Sequence, residues 1–261
     1  MTKNFTYPEI ARMIDHALLH PTLSETELIN GCTMAAVYQT ATVCVKPCDV
    51  KQAALLLSNS QTAVCTVIGF PHGVNLTEIK VRETELACDD GAIEVDMVIN
   101  TGRAISGDWG YIEADIRAIC ETAHSKKAKL KVIFENDFLL NGGAGLNDEE
   151  LKKKLCQICE NAGADWVKTS TGFGYAHQTD GSFASLGATV QDVTLMVNAC
   201  QNGTQVKAAG AVRDLSTLLR MKKIGATRIG TSSTQAILDE CREILDLPAL
   251  SMNEDSNHEG Y

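Results

Sequence analysis

The chain has no long apolar run. No segment approaches the roughly 18 consecutive apolar residues that a helix needs to cross a bilayer, and Met1-Thr2-Lys3-Asn4-Phe5 carries no apolar signal core. A cytoplasmic location is therefore expected. Positive charge is also scarce: 23 Lys and Arg stand against 33 Asp and Glu, a formal net charge of −10. Nucleic acid and anionic membrane both require a basic footprint, so neither is expected as a partner. A phosphorylated ligand would have to be held by a local group of donors, because the overall field repels it. The six histidines are spread over different parts of the chain, and only His16 and His72 fall near strand ends. That dispersal argues against a histidine metal centre. Cysteine is plentiful, ten residues in all, but scattered, with one CxxC pair, Cys156-Gln157-Ile158-Cys159. Neither a disulfide framework nor a zinc ribbon fits that spacing. The pair lies in Leu151 to Ala162, whose apolar positions recur at helical spacing, and reads as two core thiols. No metal and no cofactor are expected.

What the chain does have is a repeated alternation. At 261 residues with 44% apolar side chains it has ample material for a core, and single α/β barrels commonly run to about 250 residues. Short apolar or β-branched runs fall near Ile14 to Leu19, Thr42 to Val45, Ala63 to Gly69, Ile93 to Ile99, Leu130 to Glu135, Trp166 to Ser170, Val206 to Gly210 and Arg228 to Gly230. Segments of helical spacing such as Thr77 to Asp90 and Tyr111 to Ser125 separate them. Eight strands alternating with helices imply a single-domain (β/α)8 TIM barrel over residues 1–250. An open doubly wound sheet would want a glycine-rich fingerprint after the first strand, and Leu18-Leu19-His20-Pro21 is not one. A short helix is expected over Pro8 to Met13, and the polar, aperiodic tail 251–261 is expected to be mobile.

Two lysines sit where lysine seldom goes. Lys168 interrupts the apolar run Trp166-Val167-Lys168-Thr169-Ser170-Thr171-Gly172, and Lys207 does the same in Gln205-Val206-Lys207-Ala208-Ala209-Gly210. Lysine is rarely fully buried unless paired or used. Two inward lysines on neighbouring strands make a reactive amine plausible, since a cationic neighbour and partial desolvation both favour the neutral form. Alternation along a strand puts Glu94 with Asp96 on one face, Lys131 with Ile133 and Glu135, Lys168 with Ser170, and Lys207 with Ala209. Acids and amines inside one barrel must be paired or used; for Glu94, Glu135 and Lys131 a structural ion-pair network is an equal alternative. The turns after the last two strands, Gly210-Ala211-Val212-Arg213 and Gly230-Thr231-Ser232-Ser233, stand where barrels bind phosphate through backbone N–H groups and a helix N-terminus near Thr234.

Taken with Met13-Ile14-Asp15-His16, Ala41-Thr42-Val43-Cys44-Val45, Gly69-Phe70-Pro71-His72-Gly73, Glu94-Val95-Asp96-Met97-Val98 and Leu130-Lys131-Val132-Ile133, these segments resemble the deoxyribose-phosphate aldolases, class I aldolases on a (β/α)8 barrel. The resemblance extends along nearly the whole chain; its most specific parts are the Lys-Thr-Ser-Thr-Gly segment and the Asp96 strand. It implies reversible, metal-free cleavage of 2-deoxy-D-ribose 5-phosphate to acetaldehyde and D-glyceraldehyde 3-phosphate. By position, Lys168 would form the Schiff base and Lys207 would be the cation beside it. Asp96, with a water, would move the proton between imine and enamine, and Tyr261 would reach in from the tail. The implied substrate-binding set is Asp15, Cys44, Lys131, Thr169, Gly172, Gly210, Ala211, Arg213, Gly230, Ser232 and Ser233, with a phosphorylated sugar or aldehyde as the partner and a homodimer as the assembly. Ala211 departs from the family pattern, which has glycine there. A Schiff-base aldolase for another phosphorylated aldehyde and a catalytically silent sugar-phosphate-binding barrel remain as alternatives.

Overall fold

Residues 5–177 and 180–250 are described by a computed structural model of the chain. Strands β1 (Ile14–Leu18), β2 (Thr42–Val45), β3 (Ala63–Ile68), β4 (Glu94–Val98), β5 (Lys129–Ile133), β6 (Trp166–Lys168), β9 (Gln205–Ala209) and β10 (Arg228–Thr231) pair in parallel and close on themselves, β10 returning to β1. All eight expected strands form the barrel. The (β/α)8 fold read from the alternation is the fold observed. Between β6 and β9 the chain adds a small antiparallel hairpin, β7 (Ala176–His177) with β8 (Phe183–Ala184), which its short, glycine-bounded runs did not announce.

Helices α1 (Tyr7–Ala11), α2 (Glu25–Val37), α3 (Val50–Leu56), α4 (Thr77–Asp89), α5 (Thr101–Ile105), α6 (Trp109–Ser125), α7 (Asp148–Ala162), α8 (Val190–Ala199), α9 (Leu215–Ile224) and α10 (Thr234–Ile244) complete the chain order. Among the described residues no helix is long and apolar enough to cross a membrane. The starts of several are written locally. Ser24 with Glu27 and Asn147 with Glu150 form reciprocal capping boxes ahead of α2 and α7, each of which satisfies two otherwise orphaned N–H groups. In α7, Leu151, Leu155, Ile158 and Ala162 are buried together with Cys156 and Cys159, so the CxxC pair is core, as its spacing suggested. Burial pushes the Cys159 thiol well above its usual range, which leaves it unreactive.

Side-chain alternation divides each strand between two environments. Val95, Met97, Leu130, Val132, Val167, Val206 and Ala208 face the helices and are fully buried in one continuous core, where each such large apolar side chain contributes about 1.5–3 kcal/mol. Their neighbours along the strands, Asp96, Lys131, Lys168 and Lys207, point the other way and are also buried, at 3% exposure or less. The barrel interior is therefore charged where a purely structural barrel would be aliphatic. Two further buried ion pairs fix the helical shell. Lys80 of α4 meets Asp115 of α6 at 2.6 Å and donates to the Val98 carbonyl at the end of β4, and Lys152 of α7 meets Asp192 of α8 at 2.6 Å. Such pairs add little net stability but are costly to break singly, so they fix helix registration against the barrel.

Candidate active site

Strand register brings the charged residues together. In the barrel Asp96 pairs with Lys131, Ile133 with Lys168, and Lys168 with Lys207. The two lysines, 39 positions apart in sequence by their numbers, thus lie side by side on β6 and β9. Both reach one oxygen: Asp96 Oδ2 accepts from Lys168 Nζ at 2.7 Å and from Lys207 Nζ at 2.6 Å. Asp96 Oδ1 accepts from Lys131 Nζ at 2.8 Å. Lys207 also pairs with Asp15 Oδ2, whose other oxygen accepts from Thr42 Oγ1 at 2.6 Å. Lys131 continues to Glu94 at 2.7 Å, and Glu94 to Arg228 at 2.8 Å.

The network settles which groups are charged. Burial works against the ionised form of Asp96, but Lys131, Lys168 and Lys207 outweigh it and hold the carboxyl well below its usual range. Burial likewise opposes the charged form of Lys207, and Asp15 and Asp96 overcome it, so this lysine stays a cation well above neutral pH. Asp15 is kept ionised by Lys207 and Lys131 against the same burial cost. Three carboxylates, Asp15, Glu94 and Asp96, thus face four basic groups, Lys131, Lys168, Lys207 and Arg228, and one neutral amine would balance the set. Asp15, Cys44, Cys65 and Asp96 bring ligand-type atoms within 4.8 Å of one another. Ammonium groups already fill that space: Lys207 on both aspartates, Lys131 on Asp96 and on Cys65 Sγ at 3.2 Å.

Above the cluster opens a cavity of about 510 Å³ at the carboxyl ends of the strands. Lys168, Lys207, Asp15 and Cys44 form its floor. Gly172, Gly210, Ala211, Arg213, Gly230, Ser232 and Ser233, all expected from the sequence, line its wall. The two phosphate-type loops are joined, because Thr231 Oγ1 donates to the Val212 carbonyl at 2.6 Å and accepts from Ser233 N–H at 2.9 Å. The second bond holds Ser233 N–H within its own loop. Ala211 adopts φ +62°, the left-handed conformation in which glycine would be unstrained. His16 and His20 also line the cavity, their Nδ1 atoms engaged by Thr234 and Thr22. Burial lowers the His16 pKa to about 4, so it is neutral at pH 7.

A family model for the DeoC/LacD family aldolases matches residues 10–240. The chain belongs to the DeoC/LacD family of aldolases. It is 41% identical over 249 residues to the deoxyribose-phosphate aldolase of Rhodopirellula baltica, covering 95% of this chain and 96% of that protein. It is 46% identical over 230 residues to deoxyribose-phosphate aldolase 1 of Bacillus licheniformis, covering 88% and 95%. The solved tetrameric deoxyribose phosphate aldolase of Aeropyrum pernix matches with a TM-score of 0.78 at 27% identity, over 92% of this chain and 93% of that one.

In this aldolase some expected site residues do not line the cavity. Thr169 follows the inward Lys168 and so points outward; its hydroxyl donates to the Ala209 carbonyl at 2.9 Å and accepts from Ala209 N–H at 3.1 Å, clamping β6 to β9. Asp96 and Lys131 do not line the cavity and lie beneath Lys168 and Lys207, which Asp96 contacts. Tyr261, with the whole tail 251–261, lies outside the described residues. Sequence reasoning passed over Thr171 and Phe173, which line the cavity. The hydroxyl-rich turn after Lys168 was the available signal for Thr171. Glu135 was placed on the β5 face, but the strand ends at Ile133 and Glu135 turns into φ +57°. Its carboxylate accepts from Thr171 N–H at 3.2 Å and from Thr171 Oγ1.

Proposed function

We propose that this aldolase reversibly cleaves 2-deoxy-D-ribose 5-phosphate to acetaldehyde and D-glyceraldehyde 3-phosphate through a Schiff base on Lys168. The observation that carries the reading is the Asp96 Oδ2 atom shared by Lys168 and Lys207 at the floor of the cavity. An imine needs an amine that can lose its proton next to a group that can receive it, and this arrangement supplies both at hydrogen-bond distance.

The chemistry follows from the positions. Lys168 Nζ adds to C1 of the open-chain sugar, and loss of water gives an iminium that withdraws electrons from C2. The C2–C3 bond then breaks as the C3 hydroxyl gives up its proton, leaving glyceraldehyde 3-phosphate and an enamine on Lys168. Protonation at C2 and hydrolysis release acetaldehyde and restore the amine. Asp96 Oδ2, with a bridging water, is the proton carrier for these steps. Lys207 remains a cation beside it and opposes accumulation of positive charge on Lys168 before the imine forms. The phosphate lies against the loops 210–213 and 230–233, where the N-terminus of α10 favours an anion. Local donors are needed there because the chain as a whole is acidic.

Incubation with deoxyribose 5-phosphate or acetaldehyde and borohydride, followed by peptide mapping, tests this directly. A reduced adduct on Lys168 is expected. An adduct on Lys207, or none with either carbonyl compound, overturns the assignment.

A further inference from the structure

Glu135 lies beside the reacting lysine without touching the cavity. Its side chain is held on two sides. Thr171 N–H and Oγ1 bond it from the turn after β6, and Gly174 closes over it so tightly that a Cβ there would stand 2.6 Å from its Oε1. The hydroxyl it holds is constrained in turn, since Thr171 Oγ1 also accepts from Phe173 N–H at 2.9 Å. Thr171 and Phe173 line the cavity, whereas Glu135 is 1% exposed.

A threonine hydroxyl has one hydrogen and two acceptor sites. With Glu135 ionised, that hydrogen is committed to the carboxylate, one acceptor site is taken by Phe173 N–H, and the cavity is offered only an acceptor. With Glu135 protonated, the carboxyl donates to Thr171 Oγ1, both acceptor sites are filled, and the hydroxyl hydrogen is free to point at the substrate. We propose that Glu135 is a positioning residue that determines, through Thr171, whether the wall beside Lys168 offers the substrate a hydrogen-bond donor or an acceptor.

The consequence is substrate discrimination. A sugar hydroxyl can give or accept a hydrogen bond and suits either state. An aldehyde oxygen can only accept, so the acceptor aldehyde of the synthetic direction is bound well only when Glu135 carries its proton. Burial raises the Glu135 pKa to about 7 against the two Thr171 bonds. The charged groups facing it are Asp137 from its own loop, which raises it further, and Lys168 from β6, which lowers it. Both states are thus populated near neutrality.

The inference rests on the aldolase reading, and its test separates the two. In the intact enzyme, KM for glyceraldehyde 3-phosphate should rise about 3- to 10-fold between pH 6.5 and 8, the worth of one hydrogen bond, while KM for deoxyribose 5-phosphate changes little. Both carry the same phosphate, so its own titration cancels in the ratio. Glu135→Gln, whose amide group always donates, should abolish the rise and keep the low KM. Thr171→Val should abolish it at a high KM, and Thr171→Ser should retain it. Persistence of the rise in Glu135→Gln, or equal changes for both substrates, overturns the proposal. ¹³C-carboxyl NMR supplies a readout that needs no turnover: a Glu135 resonance with midpoint near pH 7 that moves in Thr171→Val is expected. Absence of titration between pH 6 and 8 overturns the proposal even in an active enzyme, and failure of borohydride trapping removes the aldolase reading alone.

Discussion

Replacing either central lysine with leucine should abolish or cripple turnover, but the two variants should differ sharply in stability. Among the described residues Lys168 has one carboxylate contact, Asp96 Oδ2 at 2.7 Å, and that oxygen keeps Lys207 at 2.6 Å when Lys168 is gone. The cluster moves from four basic groups against three carboxylates to three against three, so no buried charge is orphaned. Lys168→Leu should therefore change stability by less than about 2 kcal/mol, the scale of one charged hydrogen bond, while eliminating imine formation. Among the described residues Lys207 is the only cation contacting Asp15, which would be left with the Thr42 hydroxyl as its hydrogen-bond partner. Breaking a buried pair by removing one partner costs about 3–5 kcal/mol. For a chain of this size that lowers Tm by roughly 6–20 °C. Lys207→Leu should also lose about 10²-fold or more in rate. Urea or thermal denaturation of both variants, with pH–rate profiles and borohydride trapping, gives the comparison. Equal destabilisation by the two substitutions would refute the charge balance, and turnover surviving in Lys168→Leu would refute the imine assignment.

Glu135 should make stability fall as pH rises: its pKa is about 7 in the folded chain against 4.5 as the ordinary value, so between these limits the folded state binds the extra proton, and the loss by pH 8 is on the order of 3 kcal/mol. Urea titrations should show Glu135→Gln gaining on the parent between pH 5 and 8, and a constant difference would contradict the raised pKa. Ser232→Asp, which puts a carboxylate in the wall near the α10 N-terminus, should raise KM for deoxyribose 5-phosphate about 10-fold or more while affecting non-phosphorylated deoxyribose much less. Equal losses would mean that this loop does not hold phosphate. Ala211→Gly should stabilise the chain by up to about 1 kcal/mol, because relief of the φ +62° strain outweighs the added freedom of the unfolded chain; a lower Tm would show that the Ala211 methyl packs usefully.

The eight strands, the helical segments between them and the inward lysines were legible because each rests on local chemistry. A strand reveals its buried faces by alternation, a helix its buried stripe by apolar spacing, and a lysine in an apolar run its unusual environment by composition alone. The same rules misread Glu135, since nothing local says that β5 stops at Ile133 and that the next residues turn into the left-handed region. They also missed the β7–β8 hairpin, whose strands are two residues each, too short for any period to register. Thr169 entered the expected set through the family resemblance, and the alternation that sends Lys168 inward sends Thr169 outward to Ala209.

The sequence by itself determined the barrel and singled out Lys168 as the candidate amine, and its acidity means that any phosphorylated ligand needs local donors, because periodicity, residue type and net charge are properties of the chain read in order. Only the tertiary structure decided that one oxygen of Asp96 is shared by Lys168 and Lys207, that Asp15 and Asp96 keep Lys207 charged, and that Glu135 is hydrogen-bonded to Thr171 beside the cavity. Those are distances between residues 36 to 192 positions apart, and interactions that fall off within a few ångströms are fixed by strand register and barrel closure.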